Sequence, residues 1–379
     1  MAEQTVSGRT HRLNRRRAWK VDLERKESER ESALARLWQA AAQGLPISSS
    51  CLAQHASEHM QVQLAYVAAW NNCGPNVVAL WQNYPRAEAW ILALAALQGS
   101  VDATAALLEA KADVHGNNGY PVFFWAVRGG HASTVALLIN AKADIEQSGP
   151  EGETPIHFVK SGGDSVAALL IAAKADVNRA DMHGDTPLHA AARWGDASIV
   201  SRLIHANADV NATSSSGASV LHHGAGYASV AQVLMAAKAN VRAVDVEGRS
   251  LLQNAACGGQ VRAAALLVRA KVDVQATDIH GRTPLHAAAC VGKYAAVASF
   301  LVKAKVDVEA VDNAGRTALH IAARESQHGA VAAFLVNAKA DVNRVDVQGA
   351  TPLATALRKK PPCAAVLQLL MDASARIVK

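Results

Sequence analysis

A recurring glycine constrains the fold of this 379-residue chain more than any other sequence feature. The glycines stand 31 to 34 residues apart, and each opens a similar segment: Gly119, Gly152, Gly184, Gly217, Gly248, Gly281, Gly315 and Gly349. A sustained period of this length is typical of stacked supersecondary units, each of which is too small to bury its apolar face alone. The period therefore predicts a repeat solenoid rather than a globular enzyme fold.

The segment that opens at Gly184 indicates what one unit folds into. Thr186 suits a helix N-cap, and Pro187 suits the first helical turn, where an N–H lacks an intrahelical partner. The following residues place apolar side chains at helical spacing, and a second amphipathic run follows Gly195. The polar segment 209–216 is then typical of a turn. One unit is predicted to be helix, turn, helix and turn.

A short motif recurs at the start of the first predicted helix. Thr-Pro-Leu-His-Ala begins at Thr186 and again at Thr283, and weaker copies begin at Thr154, Ser219, Ser250, Thr317 and Thr351. With this motif and period, residues 87–379 resemble the ankyrin-repeat family. The resemblance implies an all-α solenoid of stacked helix-turn-helix repeats with β-turn fingers. We expect about eight full repeats and one degenerate repeat at their N-terminal end.

Two further segments precede the repeats. Residues 1–32 are rich in charge and are predicted to be a disordered, basic tail. Residues 33–86 place apolar residues at helical spacing. Because the terminal units of a solenoid must cover its exposed apolar end, this segment is predicted to be a helical N-terminal cap.

Positive charge is concentrated in the tail, where Arg15, Arg16, Arg17 and Lys20 lie close together. This cluster suits a nuclear import signal or an anchor on an anionic membrane surface. The formal net charge is +6, of which residues 1–20 contribute five, so the repeats are nearly neutral and nucleic acid is not expected as a partner. Without an apolar signal core or a bilayer-length apolar run, the chain is predicted to be cytoplasmic, with the nucleus as the alternative.

The sequence offers little that supports catalysis. His55, Glu58 and His59 match an inverted zinc-protease pattern, but they lack a catalytic domain and equally fit a solvated helix face. Histidines also recur in the repeat motif at His157, His189, His222, His286 and His320. The resemblance implies that these imidazoles bond the backbone of their own and adjoining turns. We therefore predict no enzyme activity, metal, cofactor or small-molecule substrate.

One position departs from the family pattern, because ankyrin repeats usually have glycine after the second helix. The residues there are Lys111, Lys142, Lys174, Asn207, Lys238, Lys271, Lys305 and Lys339. A left-handed lysine costs about 1 kcal/mol more than glycine, so we expect either a remodelled turn or compensating packing. A row of lysines could also bind a partner, although an aspartate two residues after most of them offsets the charge.

The resemblance implies a protein partner held by the fingers and by the exposed side of the first helices, in a concave groove. The candidate residues are Glu153, Met182, His183, Asp185, Arg193, Trp194, Tyr227, Arg249, His280, Arg282, Arg316 and Arg324. Arg193 and Trp194 are the strongest candidates, because arginine and tryptophan dominate interface energetics. Trp194 could instead cover the loop of the next repeat.

Charge along the predicted fingers changes from acidic near Glu153 to basic near Arg316, which would orient a partner of complementary charge. The leading hypothesis is a monomeric, non-enzymatic adaptor. The alternative is a regulator that the basic tail brings to the nucleus or to an anionic membrane, with the repeats holding cargo.

Overall fold

A computed structural model describes most of the repeats and little that precedes them. The described residues are 64, 72, 74–76, 78, 88–115, 121–160, 162–291, 294–325, 329–359 and 363–377. The basic tail, His55, Glu58, His59 and most of the cap predicted at 33–86 lie outside these ranges, so those hypotheses stay predictions. The chain divides into two compact units, Met1–Pro150 and Glu151–Lys379.

The described residues of the first unit include two helical hairpins. Helices α1 (Glu88–Gln98) and α2 (Val101–Glu109) form one, and α3 (Val122–Gly129) and α4 (Ala132–Asn140) form the other. Fully buried side chains from each helix fill the space between the hairpins: Leu92, Leu107, Phe123 and Leu138.

Asn72 ties residues before α1 to the start of α2. Its Oδ1 accepts a hydrogen bond from the Asp102 N–H at 2.9 Å, and its Nδ2 donates to Asp102 Oδ2 at 2.8 Å. These bonds satisfy an N–H of the first helical turn that has no partner within the helix.

The second unit repeats the helical hairpin. A 3₁₀ helix (Pro155–Phe158) and α5 (Asp164–Ala172) are followed by α6 (Pro187–Trp194), α7 (Ala197–His205), α8 (Val220–Gly224), α9 (Ala228–Ala236), α10 (Leu251–Cys257), α11 (Val261–Arg269), α12 (Pro284–Val291), α13 (Ala295–Lys303), α14 (Ala318–Glu325), α15 (Ala330–Asn337), α16 (Pro352–Leu357) and α17 (Ala364–Ile377). First helices contact the first helices of adjacent repeats, and second helices contact second helices. The predicted all-α stack is therefore observed.

The core of this unit is thin and regular. Each hairpin from α6 onward buries leucine from its first or second helix, as Leu188 and Leu203 do in the repeat that opens at Gly184. Alanines such as Ala191 and Ala192 fill the space beside them and allow the helices to approach closely. Burying one leucine fully stabilises the fold by about 1.5–3 kcal/mol, so neighbouring repeats depend on each other for stability.

Tight turns, which we call fingers, join each second helix to the next first helix. In the finger at Gly184, the Gly184 N–H donates to Asp181 O at 3.0 Å and the Asp181 N–H donates to Asp185 O at 2.9 Å. Adjacent fingers are joined by backbone N–H to O bonds of 2.8 to 3.1 Å, from Met182 to Glu151, Ser215 to His183, Val246 to Ser216, Ile279 to Glu247, Asn313 to His280 and Val347 to Ala314. The fingers thus form one hydrogen-bonded ladder within this unit.

The turn after each second helix is left-handed, as the family pattern requires, although lysine occupies it. The φ angles of Asn207 and of the seven lysines named above lie between 58° and 66°. At Lys238 the lysine N–H donates to Met235 O, and the Ala239 N–H donates to Leu234 O. This is the Schellman pattern, and the burial of Ala239 supplies its apolar contact. The turn is therefore not remodelled, and lysine adopts the left-handed conformation itself within a packed Schellman turn.

No helix within the described part of the chain is long and apolar enough to cross a lipid bilayer.

Candidate interaction surface

The motif histidines connect each first helix to the finger of the next repeat. In α6 the Thr186 N–H donates to His189 Nδ1 at 3.1 Å, and His189 Nε2 lies 3.3 Å from Ala218 O. Since Nδ1 accepts a backbone N–H, the imidazole is neutral and Nε2 donates. Equivalent pairs of bonds occur at His157, His222, His286 and His320. These side chains have the structural role that the resemblance implied.

Glutamine replaces histidine in one repeat and makes the same contacts. The Ser250 N–H donates to Gln253 Oε1 at 2.7 Å, and Gln253 Nε2 donates to Arg282 O. The position therefore requires one acceptor and one donor in fixed places rather than an imidazole.

Several predicted binding residues do lie at the surface of the second unit. Met182, His183 and His280 are exposed on fingers. Trp194 ends α6 and is 53% exposed, so about half of its surface is available to a partner. Tyr227 lies elsewhere, in the turn before α9, where its ring covers the turn at Gly195.

Asp185 was expected at the finger surface, and the structure corrects this prediction. It is only 7% exposed, and its Oδ2 accepts a hydrogen bond from Arg193 Nη2. Arg193 Nε also donates to His223 Nδ1 at 3.2 Å. Arg193, a leading candidate for binding, therefore holds a buried carboxylate of its own chain.

His223 is part of this cluster and was not singled out from the sequence. It follows the motif histidine, where the repeats at α6 and α12 have Ala190 and Ala287. Burial lowers the pKa of His223 to about 4, against the opposing effect of the Asp185 carboxylate. The neutral ring can therefore accept the hydrogen bond from Arg193 at ordinary pH.

The predicted change from acidic to basic fingers is also corrected. Three of the arginines predicted to bind a partner each pair at 2.7 Å with a buried aspartate four residues before them: Arg249 with Asp245, Arg282 with Asp278 and Arg316 with Asp312. Burial acts to raise the pKa of the Asp245 and Asp312 carboxyls, but bonds from the arginine and from backbone N–H groups outweigh it and lower both pKa values. The positive charge at these fingers is therefore largely offset.

A row of exposed apolar side chains lies along the fingers, and of its members only Met182 stands among the candidate binding residues named above. We call Met182, Val246, Ile279 and Val347 the finger row, and each is 60 to 73% exposed. The sequence indicates this row by a strict Val-Asp-Val alternation that ends at Val246 and at Val347. In both fingers the aspartate accepts a backbone hydrogen bond within the turn. Such alternation places the valines on the outer side of the turn.

The first-helix side of α10, α12 and α14 contains a small pocket. Its volume is about 160 Å³. It brings together four of the predicted residues, Arg249, Arg282, Arg316 and Arg324, with Cys257 and Cys290. Burial raises the pKa of the Cys257 thiol, so this cysteine is not an activated nucleophile.

Across the described residues, no group of three histidine, cysteine or acidic side chains is placed to hold a metal ion.

The fold and these contacts agree with a family model described as ankyrin repeats in three copies. It matches residues 123–214, 217–312 and 293–379, which is more than half of the chain. The chain belongs to the ankyrin-repeat family. Ankyrin repeats are generally non-enzymatic and mediate protein–protein interactions, so interaction with another protein is the kind of function to expect.

One solved structure supports the same ankyrin fold. The crystal structure of the human ASB11 ankyrin repeat domain matches with a TM-score of 0.50 and 23% sequence identity, over 58% of this chain and 98% of that one. At this identity the likeness shows the fold alone. A comparison with curated proteins gives no significant match.

The cluster in the ankyrin repeat at Gly184 gives a first prediction. Arg193→Ala should lower the free energy of unfolding by about 1–2 kcal/mol, because it leaves Asp185 buried without its cation. Arg242→Ala is the matched control, since Arg242 is exposed and has no ion pair among the described residues, and it should change stability by less than about 0.5 kcal/mol. Urea unfolding of the two variants distinguishes these outcomes, and equal values would show that the pair contributes nothing.

Proposed function

We propose that this protein is an adaptor that binds an extended segment of a partner protein along the finger row. The observation that supports this proposal is the succession of exposed apolar side chains on fingers that are held together by backbone hydrogen bonds. Val246 and Ile279 lie on adjacent fingers, and adjoining exposed apolar groups are a common mark of protein interaction sites. Trp194, at the end of α6, would extend the same surface toward the first helices.

The spacing of the fingers suggests the pattern of the partner. Adjacent helical hairpins pack about 8–10 Å apart, and an extended chain advances about 3.3 Å per residue. Roughly every third residue of an extended partner would therefore reach one finger. Ser215 and Asn313 stand in the row between the apolar members and can hydrogen-bond the partner. Side chains alternate between the two faces of a β-strand, whereas a polyproline II segment has three residues per turn and points every third side chain the same way. We thus expect a partner in that conformation, with apolar residues at intervals of about three facing the apolar fingers and polar residues facing Ser215 and Asn313.

The contribution of charge to this site is smaller than the sequence indicated. Three finger arginines are paired with aspartates of their own fingers: Arg249, Arg282 and Arg316. They can still orient a partner by their charge. Binding the partner directly would cost them part of the pairing with aspartate. Apolar contact with the finger row is therefore proposed as the main source of affinity, at roughly 1 kcal/mol or more for each side chain that becomes buried.

Substitution within the finger row tests the proposal. The double variant Val246→Asp, Ile279→Asp should reduce recovery of the partner in affinity capture from lysate by at least about tenfold, because two charges would have to be desolvated. Leu357→Asp with Met371→Asp is the control, since both residues are exposed apolar side chains outside the finger row. Unchanged recovery by the finger variant, with its helical circular dichroism intact, would contradict this assignment.

A further inference from the structure

A pair of arginines on a second helix has no acidic partner. Arg262 and Arg269 are both exposed on α11, and neither makes an ion pair with any described residue. They are seven residues apart, which places them on the same helix face about 10.5 Å from each other. By contrast, Arg249, Arg282 and Arg316 are already paired with aspartates. Arg262 and Arg269 therefore place positive charge that no ion pair offsets on the second-helix side of this unit.

These arginines border a cleft on the second-helix side of this unit. The cleft has a volume of about 760 Å³ and lies between the start of α9 and the exposed face of α11. Tyr227, Gln232 and Leu266 line it with the two arginines, and no acidic side chain is among its lining residues. The cleft thus combines an apolar floor, hydrogen-bonding groups and uncompensated positive charge.

The local sequence explains why space is left here. The repeat from Gly217 is 31 residues long, two fewer than the repeat from Gly184, and its first helix α8 spans only Val220–Gly224. The turn that follows contains Gly226, where an added Cβ would meet no atom within 4 Å. The Tyr227 ring lies over Gly195 of the preceding repeat. The shortened turn therefore leaves the cleft open beside α11.

We propose that this cleft is a second binding site, which takes an acidic helical segment of a protein partner. Two carboxylates seven residues apart on such a helix would match Arg262 and Arg269, since both pairs span two helical turns. Apolar side chains between them would contact Leu266 and the exposed part of Tyr227. Tyrosine and arginine are the residue types that contribute most at interfaces. This site is separate from the finger row and does not depend on it.

The arrangement favours a helix over an extended strand. Adjacent second helices α9 and α11 present parallel ridges, and a third helix can lie in the groove between them. The cleft exposes side chains rather than a free sheet edge, so an extended segment would find no backbone ladder to join. Charge complementarity then selects acidic over neutral or basic helices, and raised salt should weaken the binding.

The experiment uses the full chain and a fluorescein-labelled, alanine-rich helical peptide of about 16 residues with two glutamates seven residues apart and leucines between them. A second peptide has glutamine in place of both glutamates. Fluorescence anisotropy at low salt should show the glutamate peptide binding at least about tenfold more tightly. The variant Arg262→Glu, Arg269→Glu should lose at least about tenfold of that affinity, whereas Arg242→Glu should retain it within about twofold.

Two further variants keep the outcome interpretable. Arg262→Gln with Arg269→Gln removes the charge without reversing it and should also weaken binding. Val246→Asp with Ile279→Asp should leave peptide binding unchanged, so failure of the finger-row proposal and failure of this one give different results. The proposal is overturned if the wild type binds neither peptide, binds both equally, or binds as well after the arginines are replaced.

Discussion

Lowering the pH from 7.5 to 5 is expected to reduce the free energy of unfolding by at least about 2 kcal/mol. Six histidines in the second unit have pKa values lowered by burial: His157, His189, His222, His223, His286 and His320. On unfolding, each returns to a pKa near its ordinary value of 6.5 and takes up a proton. Because the unfolded state binds more protons, a lower pH favours it over the folded state.

The sign and the pH range follow from linkage. Because the folded pKa values lie below the unfolded ones, the stabilising contribution is complete above about pH 6.5 and is lost as the pH falls toward the folded values. Each histidine contributes at most about 1.4 kcal/mol per pH unit within that range. Asp245 and Asp312 also have lowered pKa values, but their contribution is present above 3.8 and is lost only at lower pH. The loss between pH 7.5 and 5 is thus due to histidine.

The chain itself suggests the control for this prediction. Gln253 makes both bonds of a motif histidine and does not titrate. The triple variant His157→Gln, His286→Gln, His320→Gln should therefore keep most of its stability at pH 7.5 and lose about half of the dependence on pH. Urea unfolding followed by circular dichroism at several pH values measures both quantities. A wild type that is equally stable at pH 7.5 and 5, or a triple variant with the same slope, would contradict the assignment.

The repeat period and the motif were sufficient to predict the fold. A 33-residue spacing with Thr-Pro-Leu-His at the first helix predicts the helical hairpin, the finger and the backbone role of the histidines, because each depends on residues close in sequence. The left-handed turn at Lys238 and its equivalents was also visible as a departure from the family pattern. What the sequence left open was how lysine is tolerated there. The answer, a buried Ala239 in a Schellman turn, depends on packing.

The binding surface was less predictable, because charged residues that look exposed in sequence can be paired in space. Asp185 lies beside a finger glycine, but Arg193 and His223 from two successive first helices enclose it. The contact between Arg193 and His223 joins adjacent repeats, so no local pattern in the sequence indicates it. The pairing of Asp245 with Arg249 could have been found from its spacing of four residues across a tight turn. The same spacing recurs in the next two fingers.

Replacing Lys238, Lys271 and Lys305 together by glycine is expected to raise the free energy of unfolding by about 2–3 kcal/mol. Their φ angles are 65°, 58° and 66°, in the left-handed region where a Cβ is unfavourable. The relief of about 1–2 kcal/mol at each site exceeds the extra conformational entropy that glycine loses on folding, about 0.5–1 kcal/mol. The three sites lie in different repeats and do not share partners, so their effects should add.

A lysine outside the left-handed turn serves as the control, because it shows whether stability rises on removal of any lysine or only of a lysine with a positive φ. Lys303 ends α13 two residues before Lys305 and has no left-handed φ, so Lys303→Gly should instead destabilise the protein by about 0.5–1 kcal/mol. Substitution of the three lysines by asparagine, which the chain already has at Asn207, should give a smaller gain than glycine because asparagine tolerates this conformation only in part. Urea unfolding at pH 7.5 gives all three values. A triple glycine variant that is less stable than the wild type would contradict this prediction, because the entropy that glycine loses and any contacts of the lysine side chains would then outweigh the relief of backbone strain.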